Sequence, residues 1–154
     1  RDALAGRSIA GTASILRELN LKVVSLCRGG FFPSVDKAKR KLAIEDNLKA
    51  IDEAHELGAP IVVLVCGADP GQSLHESRKQ IQDGIAQCID HAKSAGVILA
   101  IEPLHPMYAG DRSAINTLAQ ANDMAEALQS PLATLDIKLT KSRSVKCTFL
   151  TPSG

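Results

Sequence analysis

An α/β chain of alternating strands and helices, with its strands parallel, is the fold class this sequence predicts, and three observations lead there. Four apolar runs of strand length, residues 21–27, 61–66, 97–102 and 132–139, begin 35 to 40 residues apart. Helical patterns fill the gaps, the alternation of a βα array. The middle two runs are almost unbroken Val, Ile and Leu, as expected of strands buried on both faces of a parallel sheet.

The elements follow in order. A first helix over residues 8–19 carries Ile9, Ala13, Leu16 and Leu19 on one side. A second over 35–57 carries Leu48, Ile51 and Ala54, and Gly58 is placed to stop it. The third has the clearest signals. Ser73 and Glu76 have capping-box spacing, Ile81, Ile85, Cys88, Ile89 and Ala92 share a stripe, and Gly96 ends it. A fourth over 113–128 carries Ile115, Leu118, Ala121, Ala125 and Leu128. Residues 138–154 differ: they hold Lys138, Lys141, Arg143 and Lys146 without helical period. They read as a solvated tail, with an edge strand near 145–150 or none.

Composition bounds the function. The 154 residues are 45% hydrophobic and 23% charged, globular values, and the net charge of +1 offers no basic field for nucleic acid. No apolar run approaches the ~18 residues of a membrane span. The chain begins at Arg1 without a Met, which reads as processing or truncation upstream. Cys27, Cys66 and Cys88 lie on apolar runs or stripes and read as buried thiols in a reducing, cytoplasmic setting. Cys147 forms no C-x-x-C pair with any of them.

The loops are unequal. Helix-to-strand turns are short, whereas the strand-to-helix loops 28–33, 67–71 and 103–112 are long and hold Phe31, Phe32 and Tyr108, three of the four aromatic residues. In a parallel array these loops share one face, where ligands bind. Glu102 ends an otherwise uncharged apolar run there. A carboxylate in such a place is expected to be ion-paired, with Arg28 or Arg112, or to act as a metal ligand or proton-transfer group. Asp136 holds the matching place 34 residues later and reads either as a second ligand on an adjacent parallel strand or as a solvent-facing side chain. His105 is read as a substrate contact or a structural loop residue. His55, His75 and His91 fall on helices and read as surface residues.

The segment 101–112, Ile-Glu-Pro-Leu-His-Pro-Met-Tyr-Ala-Gly-Asp-Arg, resembles the sugar phosphate isomerase/epimerase family, the xylose-isomerase-like TIM barrels. Residues 25–32 and 116–121 add to the likeness. The resemblance covers roughly residues 5–136, so residues 1–137 are expected to form a partial (β/α)8 barrel of about four parallel strands. It implies a divalent cation, manganese or magnesium, held by Glu102 and Asp136 with a His and a second Glu from later strands. It implies 1,2-proton transfer through an enediolate of a sugar or sugar phosphate, with Glu102 catalytic and His105, Arg28, Phe31 and Tyr108 at the substrate. The chain departs from the family at Leu139, where a substrate-binding His commonly stands three residues after the Asp.

Half of the expected ligands are absent from these residues, so whether this chain alone is an enzyme stays open. The alternatives are a non-catalytic sugar- or partner-binding fragment and an endonuclease-IV-like DNA repair protein. The latter would need three zinc ions and many more histidines. A complete open α/β sheet of flavodoxin type is the rival fold, and helix placement separates it from the barrel.

Four parallel strands do not close a barrel, which takes eight. Their open edges and inward apolar face predict that the isolated chain self-associates or is only marginally stable, measurable by sedimentation velocity and thermal melting. A sharp monomer peak with cooperative melting would contradict it.

Overall fold

The computed structural model describes residues 1–128, 135–136 and 148–152. Three strands, β1 (Leu26–Gly30), β2 (Ile61–Val65) and β3 (Ile98–Glu102), alternate with four helices, α1 (Ile9–Glu18), α2 (Lys37–Leu57), α3 (Leu74–Ala95) and α4 (Leu118–Leu128). β1 pairs with β2 and β2 with β3, both in parallel.

Helix ends follow local chemistry. Ser8, Asp36 and Ser73 each accept a backbone N–H in the first turn of the helix they precede. Gly58 and Gly96 close α2 and α3 in the left-handed conformation, which an L side chain resists. α1 and α2 start within two residues of the expected positions. α4 starts five residues late, because the Ser113 hydroxyl bonds both backbone groups of Ile115 and holds that stretch in a turn. Ile115 is therefore a buried loop anchor, not a helical stripe residue.

One observation decides between barrel and open sheet. The buried core joins residues of α1 (Ala13), α2 (Ile51, Ala54), α3 (Ile81, Ile85, Cys88) and α4 (Ala121, Ala125) to alternate strand positions Val62, Leu64, Val97, Leu99 and Ile101. α2, α3 and α4 cover the same sheet face, and α1 packs against α2 in the same core. That is the arrangement of a partial (β/α)8 barrel; a doubly wound sheet would divide its helices between two faces. Ile61, Val63, Ile98 and Ala100 alternate onto the opposite, concave face.

Several expectations are corrected. The first strand runs Leu26–Gly30, not 21–27, and Leu21 and Val24 are exposed. Leu19 caps the C-terminal end of α1 in solvent. Cys27 is exposed, while Cys66 and Cys88 are buried as expected.

The fourth strand also differs. β4 (Leu135–Asp136) does not pair with β3. β5 (Thr148–Pro152) lies between them, antiparallel to both, giving the order β1-β2-β3-β5-β4. The tail does supply a strand near the expected place, β5, but an interior one with β4 beyond it at the edge; the rest of the tail, with Lys138, Lys141, Arg143 and Lys146, lies outside the described residues. No helix among the described residues is long and apolar enough to cross a membrane.

Phe32 fixes the distance between sheet and helices. Its buried ring sits against Gly84 of α3, where an added Cβ would lie 2.4 Å from the Phe32 Cδ1 atom. Gly84→Ala is expected to lower stability by about 1–3 kcal/mol, since the methyl can be admitted only by displacing the buried ring or the helix. Urea unfolding checks this, and an unchanged midpoint would contradict the packing.

Candidate active site

The C-terminal ends of the three parallel strands are level. Gly30 pairs with Val65, and Val65 with Glu102. Because Ile101 points into the helical core, Glu102 points to the concave face. Its side chain is exposed, so the desolvation cost expected of a carboxylate ending an apolar strand does not arise. Among the described residues neither Arg28 nor Arg112, the two partners considered for a structural ion pair, forms one with it.

Three loops surround this end of the sheet, and backbone contacts lock them together. Gly67 (φ 89°) is the meeting point. An added Cβ there would stand 2.7 Å from the Phe31 Cα, while the Gly67 N–H donates to the Arg112 carbonyl at 3.0 Å and its carbonyl accepts from Ala114 N–H. The β1–α2 loop is pinned a second time by Asp69, which accepts N–H bonds from Val35 and Gly71. Those bonds, Val35's foremost, hold its carboxyl below the usual range. The β3–α4 loop closes on itself through Leu104 N–H to the Ile115 carbonyl, and Asn116 donates to the Leu104 and Ser113 carbonyls.

The residues expected at the substrate divide. Arg28 and Phe31 stand together, the guanidinium 4.6 Å from the ring centroid. Tyr108 lies under Arg112 at 5.2 Å, within a 3₁₀ turn, Pro106–Tyr108. His105 is exposed and accepts the Met107 N–H through Nδ1, so the proton of the neutral ring sits on Nε2. Phe32, in contrast, belongs to the core. His55, His75 and His91 lie exposed on helices, as expected.

Asp136 does not stand beside Glu102. It pairs with Thr151, one step beyond the Leu99–Leu150 pair, which sets its backbone level with Ile98. That is four residues below Glu102, roughly 13 Å along the strand, with a strand between. The positional premise for joint ligation thus fails in this sheet order. Among the described residues no three His, Cys, Asp or Glu side chains gather in a metal-holding group. Glu102 is a single donor and does not by itself make a cation site, so no chemical step is derived through a metal.

Sequence reasoning missed Asn47, a buried residue of α2. Its Oδ1 accepts the Gly30 N–H at 2.6 Å, and its Nδ2 donates to the Gly30 carbonyl at 2.8 Å and to the Ala43 carbonyl. The only signal in the sequence was an amide on the inward side of a helix. Burial pushes the Cys66 thiol, just past β2, up to about 12, with the Glu102 charge adding to the effect. It is therefore a protonated core group rather than a nucleophile. A cavity of about 550 Å³ runs along β1 and α2; Arg28 and Phe31 line it together with Arg1, Asp46 and Glu53, whereas Glu102, His105 and Tyr108 do not.

A family model described as xylose isomerase-like TIM barrel matches residues 1–136. The chain is 51% identical to protein SMc04130 from Sinorhizobium meliloti 1021, over 83% of this chain and 47% of that one, with a TM-score of 0.79. A structure titled IOLI protein with a binding zinc atom matches at 22% identity, 83% and 45% coverage and TM-score 0.67. An L-ribulose 3-epimerase matches at 24%, 80% and 43%, and 0.66. The last two likenesses show the fold alone. The chain spans about half the length of these solved structures. No curated protein matches it.

Asn47→Ala would leave both backbone groups of Gly30 unsatisfied in a buried place. A loss of about 2–3 kcal/mol is expected in chemical denaturation. A loss under about 1 kcal/mol would mean that water replaces the amide.

Proposed function

The chain belongs to the xylose isomerase-like TIM barrel family, and from that premise we propose that it forms part of a sugar isomerase/epimerase site in which Glu102 is the proton-transfer base. One observation carries the proposal: an exposed carboxylate without an ion pair among the described residues stands at the C-terminal end of a central parallel strand, ringed by three mutually pinned loops. In (β/α)8 enzymes chemistry sits at that end.

In this reading Glu102 takes the proton from the carbon beside a sugar carbonyl. The C–H electron pair becomes the double bond of an enediolate, and the carbonyl oxygen takes the negative charge. Protonation of the former carbonyl carbon, with the hydroxyl proton passing between the two oxygens, gives the isomer; return to the opposite face of the same carbon gives the epimer. The family resemblance gives that return to a second Glu on a later strand. The His105 Nε2–H is a donor for a substrate oxygen, Phe31 and Tyr108 offer apolar ring surface to the sugar, and Arg28 offers a charged donor. A bound divalent cation, manganese or magnesium, would polarise the sugar oxygens. Glu102 would be one of its ligands, and Asp136 another only if β4 paired directly with β3. A cytoplasmic setting suits the free thiols of Cys27, Cys66 and Cys88.

A second reading, a sugar-binding fragment without catalysis, is favoured by one fact: the described residues supply no complete metal-ligand group. It predicts sugar binding that a chelator leaves unchanged.

Incubation with a ketose in D2O containing Mn²⁺, followed by proton NMR, separates the two. Proton transfer replaces hydrogen by deuterium at the carbon beside the carbonyl, and Glu102→Gln is expected to slow this by about 10²-fold or more. Equal rates in the variant would remove Glu102 from the chemistry. Sugar binding without exchange in the unmodified chain would favour the second reading.

A further inference from the structure

Side chains from the first turns of α3 reach all three loops around Glu102. The helix is a fixed reference in the fold. Ser73 caps its start, and Ile81, Ile85 and Cys88 anchor it in the core. Ser77, Arg78 and Gln80 stand between cap and anchor, and their side chains reach out of the helix.

Gln80 takes the first loop. Its Oε1 accepts the Ser34 N–H at 3.0 Å. The Ser34 carbonyl accepts from Arg40 of α2, so helix side chains hold both backbone groups of this residue. Ser34 lies three residues past Phe31. The second loop is tied to the same place. Gln72 Nε2 donates to Gln80 Oε1 at 2.9 Å and to the Ser77 hydroxyl at 3.1 Å, and Gln80 Nε2 donates back to Gln72 Oε1 at 3.2 Å. Ser77 is fully buried, so its bond is shielded from water.

Arg78 takes the third loop. Its Nε donates to the Ala114 carbonyl at 2.9 Å. Among the described residues Arg78 forms no ion pair, and its charge strengthens a bond to a peptide carbonyl instead. The Ala114 N–H donates to the Gly67 carbonyl, and the carbonyl of the next residue, Ile115, accepts the Leu104 N–H at 3.0 Å. Leu104 lies two residues past Glu102. The limb of the loop that returns to α4 thus ties the helix to the limb that leaves Glu102.

We propose that Arg78 and Gln80 are positioning residues for proton transfer: from α3 they seat the third and first loops around Glu102, acting through the Ala114 and Ser34 backbones. The inference rests on the reading of Glu102 as the base, and it adds the residues that hold the surroundings of that base in place. Without Arg78 the third loop keeps its bonds to Gly67 and loses this tie to the helix layer. Without Gln80 the Ser34 amide and the Gln72 side chain lose a shared acceptor.

Two measurements on the full chain test it together: amide hydrogen exchange by NMR, and deuterium incorporation into fructose and ribulose in D2O with Mn²⁺. Arg78→Ala is expected to speed amide exchange at Leu104 and Ala114 about tenfold or more, and Gln80→Ala at Ser34, while the core amides of β2 and α2 keep their rates. In both variants kcat for deuterium incorporation is expected to fall about tenfold or more, with a smaller change in KM. Arg78→Lys keeps a cationic donor and is expected to recover most of the loss; recovery of none would overturn the role given to Arg78. Faster exchange at every amide alike would make the role one of global stability and overturn the inference. Unchanged amide rates, or freed loops with unaltered kcat, would overturn it too, and each of these leaves the Glu102 reading standing. No incorporation into either ketose by the unmodified chain would overturn both.

Discussion

The helices of this protein bury only one face of its sheet, and nearly every other feature depends on that constraint. Strand residues alternate sides, so the positions given to the helices fix the positions left for the concave face. In β3 and the residue before it the core takes Val97, Leu99 and Ile101. Glu102 is thereby turned the other way, at the last position of the strand. Had the core claimed the even-numbered residues, the glutamate would be buried under α4 at a cost of several kcal/mol. The placement of the one charge in this strand is a consequence of where three aliphatic side chains pack.

The second layer of control is close backbone approach. Gly30 adopts φ 105° and has no room for a Cβ, which would fall 2.0 Å from the Val65 carbonyl oxygen. Asn47 then satisfies the Gly30 amide and carbonyl from the helix side. Glycine permits the approach and asparagine fixes its direction. Together they aim the chain so that Phe31 leaves toward the rim while Phe32 enters the core against Gly84. Two adjacent identical residues therefore have unlike tasks. Gly67 repeats the device one strand over and joins the first and third loops. The rim is set by peptide groups, which hold their geometry better than exposed side chains do.

This explains which parts were legible in the sequence. Apolar periodicity and capping chemistry are local signals, and α2, α3, β2 and β3 fall close to where those signals place them. The asymmetry of loop lengths identified the rim, and the break between Ile101 and Pro103 identified Glu102. What sequence did not reveal was long-range pairing. Leu21 and Val24 have strand-like composition but lie exposed, while the glycine-rich stretch ending at Gly30 takes the ladder because only it can approach β2 so closely. Ile115 fits a helical stripe, yet a serine hydroxyl two residues earlier wins the local competition for its backbone. Asn47 looked like any polar helix residue, since its partners lie 17 residues away.

The displaced fourth strand marks where local signals stop deciding. The free edge of β3 presents N–H and C=O groups that any strand can satisfy, parallel or antiparallel. Repetition of the βα unit alone would bring residues 135–136 to that edge with Asp136 near the level of Glu102. Instead β5 takes the edge, and β4 attaches beyond it with Asp136 level with Ile98. The hydrogen-bonding need is met in either arrangement, but the chemistry is not. A metal site of the family type requires two carboxylates converging from neighbouring strands, and edge pairing alone does not select for that. Convergence has to come from the helix and strands that would hold the next unit in parallel, as α3 holds β3 against β2. Glu102, the proposed base, lies within the three parallel βα units. A cation site shared with Asp136 would depend on how the fourth unit is seated.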